Sequence, residues 1–193
     1  MKREYYGTIL SLIGMVLNLF AFHAREKRTL LILHTAATGF HMGSYVFSGG
    51  GMGIYLNAVF LVRSLSFLKA ERWTPDKRKR LYWAICLGCA GAYALFLALH
   101  RPSAGDALWS LIPVIGAFFG TYAFVQTDMI ALRRIKMADS VSWLLYNGHV
   151  GVGALGGFLG EVFNIAGMLH AIYRDQREMK SADCFSGSGN KAE

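Results

Sequence analysis

The sequence has few charged residues, few cysteines and few prolines for its length. Of its 193 residues only 17% are charged and 54% are hydrophobic, and the mean hydropathy is +0.35. A soluble globular domain carries about 25% charged residues, so this chain lacks the polar surface that would keep it in water. Three cysteines build no disulfide framework. Cys86 and Cys89 lie inside an apolar run, where small buried residues are a simpler interpretation than a metal or redox site.

Recognisable catalytic motifs are also missing. The sequence contains no Walker motif, nucleophile elbow, zincin motif or dinucleotide fingerprint, so we expect neither an enzyme nor a bound cofactor. The net charge of +8 does not indicate nucleic-acid binding, because the basic residues stand in short groups between apolar runs. His34 and His41 share one helix face. No HxxxH or HxxE spacing supplies further ligands, so structural or interfacial histidines are favoured over a haem or metal site.

Long apolar segments dominate the chain instead. They cover residues 6–22, 29–47, 50–68, 81–99, 108–127, 140–154 and 156–173. Most approach the ~20 residues that a membrane-spanning helix needs; the sixth is short and alternatively forms a hairpin with the seventh. No small-residue cleavage site follows the first segment, so we interpret it as a retained helix. The sequence therefore predicts an all-α polytopic membrane protein, with one transmembrane domain over residues 1–175 and a disordered tail over residues 176–193.

The positions of Lys and Arg orient the seven predicted spans. With the N-terminus outside, 16 of the 20 Lys and Arg fall in the cytoplasmic loops and tail. Lys2, Arg3 and Arg101 then lie outside, and Arg63 lies within a span. Cytoplasmic loops of membrane proteins carry an excess of Lys and Arg. We therefore expect an external N-terminus and a cytoplasmic C-terminus.

Two parts of the chain match each other at nearly constant spacing. Ile13-Gly14 followed by Phe20-Ala21-Phe22 matches Ile115-Gly116 followed by Tyr122-Ala123-Phe124, 102 residues later. Gly49-x3-Gly53-x3-Asn57 matches Gly153-x3-Gly157-x3-Glu161, 104 residues later. These matches predict two parallel three-helix repeats, over residues 6–68 and 108–173, joined by a linker helix over residues 81–99.

Polar side chains inside the predicted spans are the candidate functional residues, because they are costly in a bilayer. Glu161 is the only acidic residue well inside a predicted span, roughly 12 Å from its end, and Asn57 is its repeat mate. The two would face each other across a pseudo-two-fold axis, where repeat-built transporters bind substrate. Alternatively, a protonated Glu161 only holds neighbouring helices together. Arg63 would pair with an acid, receive an anionic substrate or, as we favour, snorkel to the interface.

A second candidate group lies in the sixth span. Trp143, Tyr146 and Asn147 stand at i, i+3 and i+4, on one face of a helix. An aromatic and amide face suits a sugar or another small polar ligand, and simple aromatic packing is an equal alternative.

Two long stretches of the sequence resemble a known family. Ser142-Trp-Leu-Leu-Tyr-Asn through Gly156-Gly-Phe-Leu-Gly-Glu-Val-Phe-Asn, ending in Ile172-Tyr-Arg-Asp, resembles the C-terminal signature of the YgjV family of bacterial inner-membrane proteins. Lys27-Arg-Thr-Leu-Leu through Asn57 and Arg63 is similar to that family's N-terminal signature. The resemblance covers about residues 7–175. It implies a multi-pass protein of the bacterial inner membrane, without an established activity.

The plan of three helices, one helix and three helices is also similar to that of the SWEET and PQ-loop transporters. That resemblance implies that Asn57 and Glu161, on the third helix of each triplet, line a solute pocket. Trp143 and Tyr146 match the aromatic residues that the second helix contributes there.

The chain departs from the SWEET and PQ-loop pattern in two respects. Phe22-His23 and Val125-Gln126 stand where Pro-Gln dipeptides would close the first and fifth helices, and the acid Glu161 replaces one of the two asparagines. A proton-linked or cationic solute is then as plausible as a sugar.

Together these features predict a small-solute transporter or facilitator that works by alternating access. Its predicted solute site consists of Asn57, Trp143, Tyr146, Asn147 and Glu161. The alternative is a membrane receptor or sensor that binds a small ligand in the same pocket without transporting it. The expected partners are the lipid bilayer and a small polar solute. Self-association into a homo-oligomer is compatible with the sequence.

Overall fold

Apolar stretches separated by short polar turns form long helices. The computed structural model describes residues 2–48, 51–70, 72–150 and 155–188, and within these ranges the chain forms seven α-helices and no strand. They are α1 (Lys2–His23), α2 (Lys27–Ser48), α3 (Gly51–Ala70), α4 (Pro75–His100), α5 (Ala104–Val125), α6 (Met129–Val150) and α7 (Leu155–Ser188). The prediction of an all-α protein with seven helices is confirmed over the described residues.

Four of these helices are long and apolar enough to cross a membrane. They are Tyr5–His23 of α1 together with α3, α4 and α5. Helices α2, α6 and α7 have sufficient length but carry more polar residues. Several of these polar side chains, including His34, Lys136 and Asp139, are buried inside the bundle. The crossing of α2, α6 and α7 therefore stays a prediction.

Helix α6 begins at Met129, eleven residues before the predicted start at residue 140. The carboxylate of Asp128 accepts a hydrogen bond from the backbone N–H of Ala131 at 2.6 Å, which is the arrangement that caps a helix N-terminus. Arg133 and Lys136, expected in a cytoplasmic loop, thus lie within α6 and are buried. The start of α6 was predicted too late because Arg133-Arg134-Ile135-Lys136 has the low hydropathy of a loop. Arg and Lys nevertheless have a high helix propensity.

Helix α7 also extends beyond its predicted end. It continues to Ser188, into the stretch from residue 176 for which the sequence predicted a disordered tail. The stretch Arg174-Asp-Gln-Arg-Glu-Met-Lys is rich in residues of high helix propensity.

The order of helix contacts is similar in helices α1–α3 and in helices α5–α7, which we call the first and the second half of the chain. Helix α2 packs against α1 and α3, while α6 packs against α5 and α7. The halves meet where α1 contacts α7 and where α3 contacts α5, and α4 packs against both α3 and α5.

Glycines permit the close approach of the second and third helices in each half. A methyl group at Gly53 of α3 would lie 2.7 Å from the ring of Tyr45 on α2. One at Gly157 of α7 would lie 2.8 Å from the amide of Asn147 on α6. The other two glycines of the repeated motif, Gly49 and Gly153, lie outside the described residues.

The α1–α2, α3–α4 and α5–α6 turns and the polar part of α7 meet at one end of the bundle, which we call the basic end because Lys and Arg are concentrated in the helix ends beside these turns. Direct contacts bring them together: Arg25 pairs with Glu178 at 2.8 Å, and Arg78 donates to the carbonyl of Val125 at 3.4 Å. A cluster of ten buried apolar side chains packs next to these turns. It consists of Ala21, Phe22, Leu30, Leu31, Phe67, Ala70, Ala123, Phe124, Leu132 and Met168.

Candidate functional site

A polar cavity of about 50 Å³ lies inside the helical bundle. Helices α1, α2, α3, α6 and α7 all contribute side chains to its wall. Its polar lining residues are Asn18, His34, Thr38, His41, Tyr45, Asn57, Lys136, Ser140, Asn147, Glu161 and Asn164. A cavity of this size holds a few water molecules, so a sugar-sized solute would require the helices to move apart.

Four of the five predicted solute-site residues share this cavity. Asn57 reaches it from α3, Trp143 and Asn147 from α6, and Glu161 from α7. Tyr146 does not line it. The Tyr146 ring is buried in an apolar cluster between α3, α4, α5 and α6 that adjoins the cavity through Trp143, and the centroids of the two rings lie 5.8 Å apart. At Tyr146 the structure therefore favours the alternative of aromatic packing.

The second helix of each half presents one face to the cavity. From α2 these residues are His34, Thr38, His41 and Tyr45. From α6 they are Lys136, Ser140, Trp143 and Asn147, each 102 positions after its α2 counterpart. Spacings of three and four residues place each set on a single helix face.

The third helices contribute to the cavity in the same manner. Asn57 and Phe60 line it from α3, and Glu161 and Asn164 line it from α7, each 104 positions later. The amide of Asn57 donates to the carbonyl of Gly53 at 2.8 Å, and the amide of Asn164 donates to the Glu161 carboxylate at 3.3 Å.

A directed chain of hydrogen bonds runs along the first half of the cavity. Arg63 Nη2 lies 3.3 Å from His34 Nε2, and His34 Nδ1 lies 2.9 Å from Asn18 Oδ1. An arginine can only donate, so His34 accepts at Nε2, and its Nδ1–H donates to Asn18. The Asn18 amide in turn lies 3.3 Å from His41 Nε2 and donates to it. This order of donors assigns His34 as a neutral imidazole.

Arg63 does not snorkel to the interface, contrary to our expectation. Its side chain is 0% exposed, and its guanidinium carbon lies 4.0 Å from the ring centroid of Phe60 and 4.9 Å from that of Phe124. Cations are attracted to aromatic faces. These rings and the His34 nitrogen hold Arg63 inside the bundle, a set of partners that no local sequence pattern reveals. Within the described ranges, its Nε and Nη1 have no hydrogen-bond partner.

Lys136 of the cavity wall belongs to an ion pair that the sequence prediction missed. Lys136 Nζ donates to Asp139 Oδ2 one turn along α6, and both side chains are buried. A methyl group at Gly120 would contact the Asp139 carboxylate and lie 3.2 Å from Arg63 Nη1. Arg63 and Asp139 therefore approach the same small surface of α5. Glu161 is not the only acidic residue deep in the bundle.

A signal for this pair is present in the sequence. Arg133, Lys136 and Asp139 stand three residues apart, which places them near one face of a helix. Hydropathy alone predicts a loop for this run, because a hydropathy window averages over all faces of a helix.

The remaining histidines lie away from the cavity. His149 stacks on Trp109 with ring centroids 4.4 Å apart, and His23 Nε2 lies 3.3 Å from His170 Nδ1 near the basic end. Across the described part of the chain, no group of three or more His, Cys, Asp or Glu could hold a metal ion. Cys86 and Cys89 are buried and form no disulfide.

A comparison with protein families identifies the family of this chain. The family model of Imp-YgjV, described as a bacterial inner membrane protein, matches residues 5–179. The chain belongs to the Imp-YgjV family. The match spans every residue of the cavity wall and confirms the resemblance to YgjV proteins seen in the sequence. No curated protein and no solved structure matches the chain. Family membership therefore establishes a membrane protein, and its activity must be argued from the cavity.

Proposed function

We propose that this Imp-YgjV protein is a small-solute transporter or facilitator that works by alternating access, with the polar cavity as its solute site. One observation carries the proposal: polar side chains from five helices, among them Lys136 and Glu161, converge on a cavity where the two halves of a largely apolar bundle meet. Burying charges inside a membrane bundle is expensive, and such residues usually mark a substrate or ion pathway. A bundle with a purely structural role would be more stable with apolar side chains at these positions.

The spacing of the cavity residues supports two parallel repeats joined by α4. The lining positions of α2 recur in α6 after 102 residues, and those of α3 recur in α7 after 104 residues. A two-fold axis relating the halves would make the α1–α7 contact equivalent to the α5–α3 contact, and the chain has both. Transporters built from repeats bind solute at the repeat interface. The plan is the one that the SWEET and PQ-loop likeness implies.

In this proposal all seven helices cross the inner membrane, and the basic end faces the cytoplasm. Lys and Arg residues are concentrated in the helix ends and turns that meet there, as the positive-inside rule requires. The polar residues of α2, α6 and α7 would be shielded from lipid by the other helices. The chain would have no catalytic role of its own.

The cavity favours a polar or ionic solute over an apolar one. The side of the cavity formed by α1 and α2 offers neutral groups such as His34 and Asn18. The side formed by α6 and α7 offers the ammonium of Lys136 and the carboxylate of Glu161. A solute with a hydroxyl, ammonium or carboxylate group would find a partner on one side or the other. Glu161 is also placed to exchange a proton with such a solute.

The test is uptake into proteoliposomes of radiolabelled glucose, alanine and choline, chosen as a neutral, a zwitterionic and a cationic probe, with and without a proton gradient. Glu161→Gln should lower the uptake of the accepted probe by about tenfold or more, because a hydrogen bond to a charged group contributes roughly 1.5–3 kcal/mol. Asn57→Ala removes a neutral partner, whose hydrogen bond contributes roughly 0.5–1.5 kcal/mol, and should lower uptake by about two- to tenfold. Glu178→Gln removes the same charge at an exposed position, and Tyr146→Phe changes an aromatic residue outside the cavity wall. Both controls should transport normally.

Two outcomes would overturn this assignment. Unchanged uptake in both Glu161→Gln and Asn57→Ala would show that the cavity is not the solute site. Saturable binding of a probe without any uptake would identify the protein as a receptor or sensor, the alternative function for the same pocket.

A further inference from the structure

The first helix of each half ends at the basic end of the bundle, α1 at His23 and α5 at Val125. The last carbonyl groups of a helix have no partner within it. Here three consecutive carbonyls at each end accept hydrogen bonds from Lys or Arg side chains. The acceptors are Phe22, His23 and Ala24 at the end of α1, and Phe124, Val125 and Gln126 at the end of α5, each 102 positions later.

The end of α1 is held by helices of the second half. Arg133 of α6 donates to the carbonyl of Phe22 at 3.0 Å and to that of Ala24 at 2.7 Å. Arg174 of α7 donates to the carbonyl of His23 at 3.3 Å. Arg133 is 0% exposed, so these bonds are made away from water.

The end of α5 is held from the first half and from the start of α4. Lys27 of α2 donates to the carbonyl of Phe124 at 2.5 Å and to that of Gln126 at 2.6 Å. Arg78 of α4 donates to the carbonyl of Val125 at 3.4 Å. Each half thus supplies cations to the end of the first helix of the other half, and the linker helix α4 adds Arg78.

The same two helix ends close the cavity on this side. Phe22 lines the cavity, and the Phe124 ring packs against His34 with centroids 5.4 Å apart. Both rings belong to the cluster of ten buried apolar side chains that continues to the end of α3 at Ala70. Separation of α1 from α6 and of α5 from α2 would open a path from the cavity to the basic end.

We propose that these six hydrogen bonds are the cytoplasmic gate of the cavity, with Lys27 and Arg133 as its two latches. Cations at helix C-termini are stabilised by the helix dipole, which favours the closed arrangement. The freed carbonyls would lie at the end of the bundle, where water can solvate them, so the latches can release. The inference rests on the proposed function in treating the basic end as cytoplasmic and the opened end as a solute path.

The test measures the distance across the basic end without any solute. Spin labels are attached at Glu26→Cys and Thr127→Cys, two exposed positions in the α1–α2 and α5–α6 turns, in a protein whose three native cysteines are replaced by alanine. Double electron–electron resonance in nanodiscs should give one distance for this protein. In Lys27→Met/Arg133→Met a second, longer distance should appear at the expense of the first, and the open-to-closed ratio should rise by about tenfold or more.

Matched controls stand next to each latch. Arg28→Met and Arg134→Met remove the same charge from exposed neighbours of Lys27 and Arg133 and should leave the single distance unchanged. If the double variant does not fold, Lys27→Met alone provides the test, because this half-buried residue lies at the surface of the apolar cluster. The gate is refuted if the latch variants keep the single distance, or if the control variants open the end equally. Since no solute is present, a failure of the uptake experiments would leave this result standing.

Discussion

Helices α2 and α6 present equivalent positions to one cavity, but with different chemistry. At the level of His34 in α2, helix α6 has Lys136, and at the level of Tyr45 it has Asn147. The third helices differ in the same sense, since Asn57 of α3 corresponds to Glu161 of α7. The packing of the two halves is therefore similar, while charge is concentrated on one side. A solute bound between them would meet a one-sided field, which favours a single orientation.

The two sides also stabilise their buried cations differently. Lys136 has a carboxylate partner, Asp139, on its own helix. Arg63 has instead a histidine nitrogen and two aromatic faces. The interaction of Lys136 with Asp139 requires both side chains to be charged. The interactions of Arg63 with aromatic rings and a neutral imidazole do not require a charged partner. We therefore expect the second half to respond more strongly to the loss of a single carboxylate.

The largest effect should follow from Asp139→Ala, which gives α6 the residue that α2 has at Ala37. Removing one partner of a buried ion pair leaves an uncompensated charge and costs about 3–5 kcal/mol. The free energy of unfolding, measured by SDS titration in mixed micelles, should fall by that amount. The further change Lys136→Met should restore a large part of it.

The exposed Glu26→Ala is the control for Asp139→Ala and should be close to neutral. Equal stability of Asp139→Ala and Glu26→Ala would mean that Lys136 does not depend on this carboxylate. The contrast between the two sides of the cavity would then be wrong.

A smaller effect should follow from alanine at the two packing glycines. In Gly53→Ala and Gly157→Ala the added methyl groups would meet Tyr45 and Asn147 at 2.7 and 2.8 Å. Overpacking costs about 1–3 kcal/mol, so both variants should lose stability by similar amounts in the same titration. At Gly39 a methyl group meets no atom within 4 Å, and Gly39→Ala should gain up to about 1 kcal/mol from helix propensity. A loss in only one half would show that the halves are not packed alike.

The smallest effect concerns acid pH at the end of α1. Partial burial raises the pKa of Asp175, but hydrogen bonds from Arg174 and Arg133 outweigh it and hold that pKa below its usual 3.8. The stability contributed by such a carboxyl is present above pH 3.8 and is lost as the pH falls through the folded-state value. The Tm should therefore drop by about 2 °C more in the wild type than in Asp175→Asn on going from about pH 5 to about pH 3. Equal drops would mean that Asp175 does not support Arg133.

The sequence predicted the helical character of the chain and four of the residues that line the cavity. Asn57 and Glu161 were predicted because each is a polar residue in an apolar run. The glycine motifs that precede both residues indicated that they occupy equivalent positions in the two repeats. Trp143 and Asn147 followed from their spacing on one helix face. Lys136 and Asp139 were not predicted as site residues, because they follow Arg133 and Arg134 in a charged run that has the local hydropathy of a loop.

What the sequence by itself determined is a bundle of long apolar helices in a membrane, since apolar content and segment length act locally along the chain. The tertiary structure decided which charges are buried, because their partners lie far away in sequence. Arg133 is held by carbonyls of Phe22 and Ala24, and Arg63 by a nitrogen of His34. The small number of charged residues pointed to the membrane, but only the folded chain shows that several of them are buried inside the helical bundle.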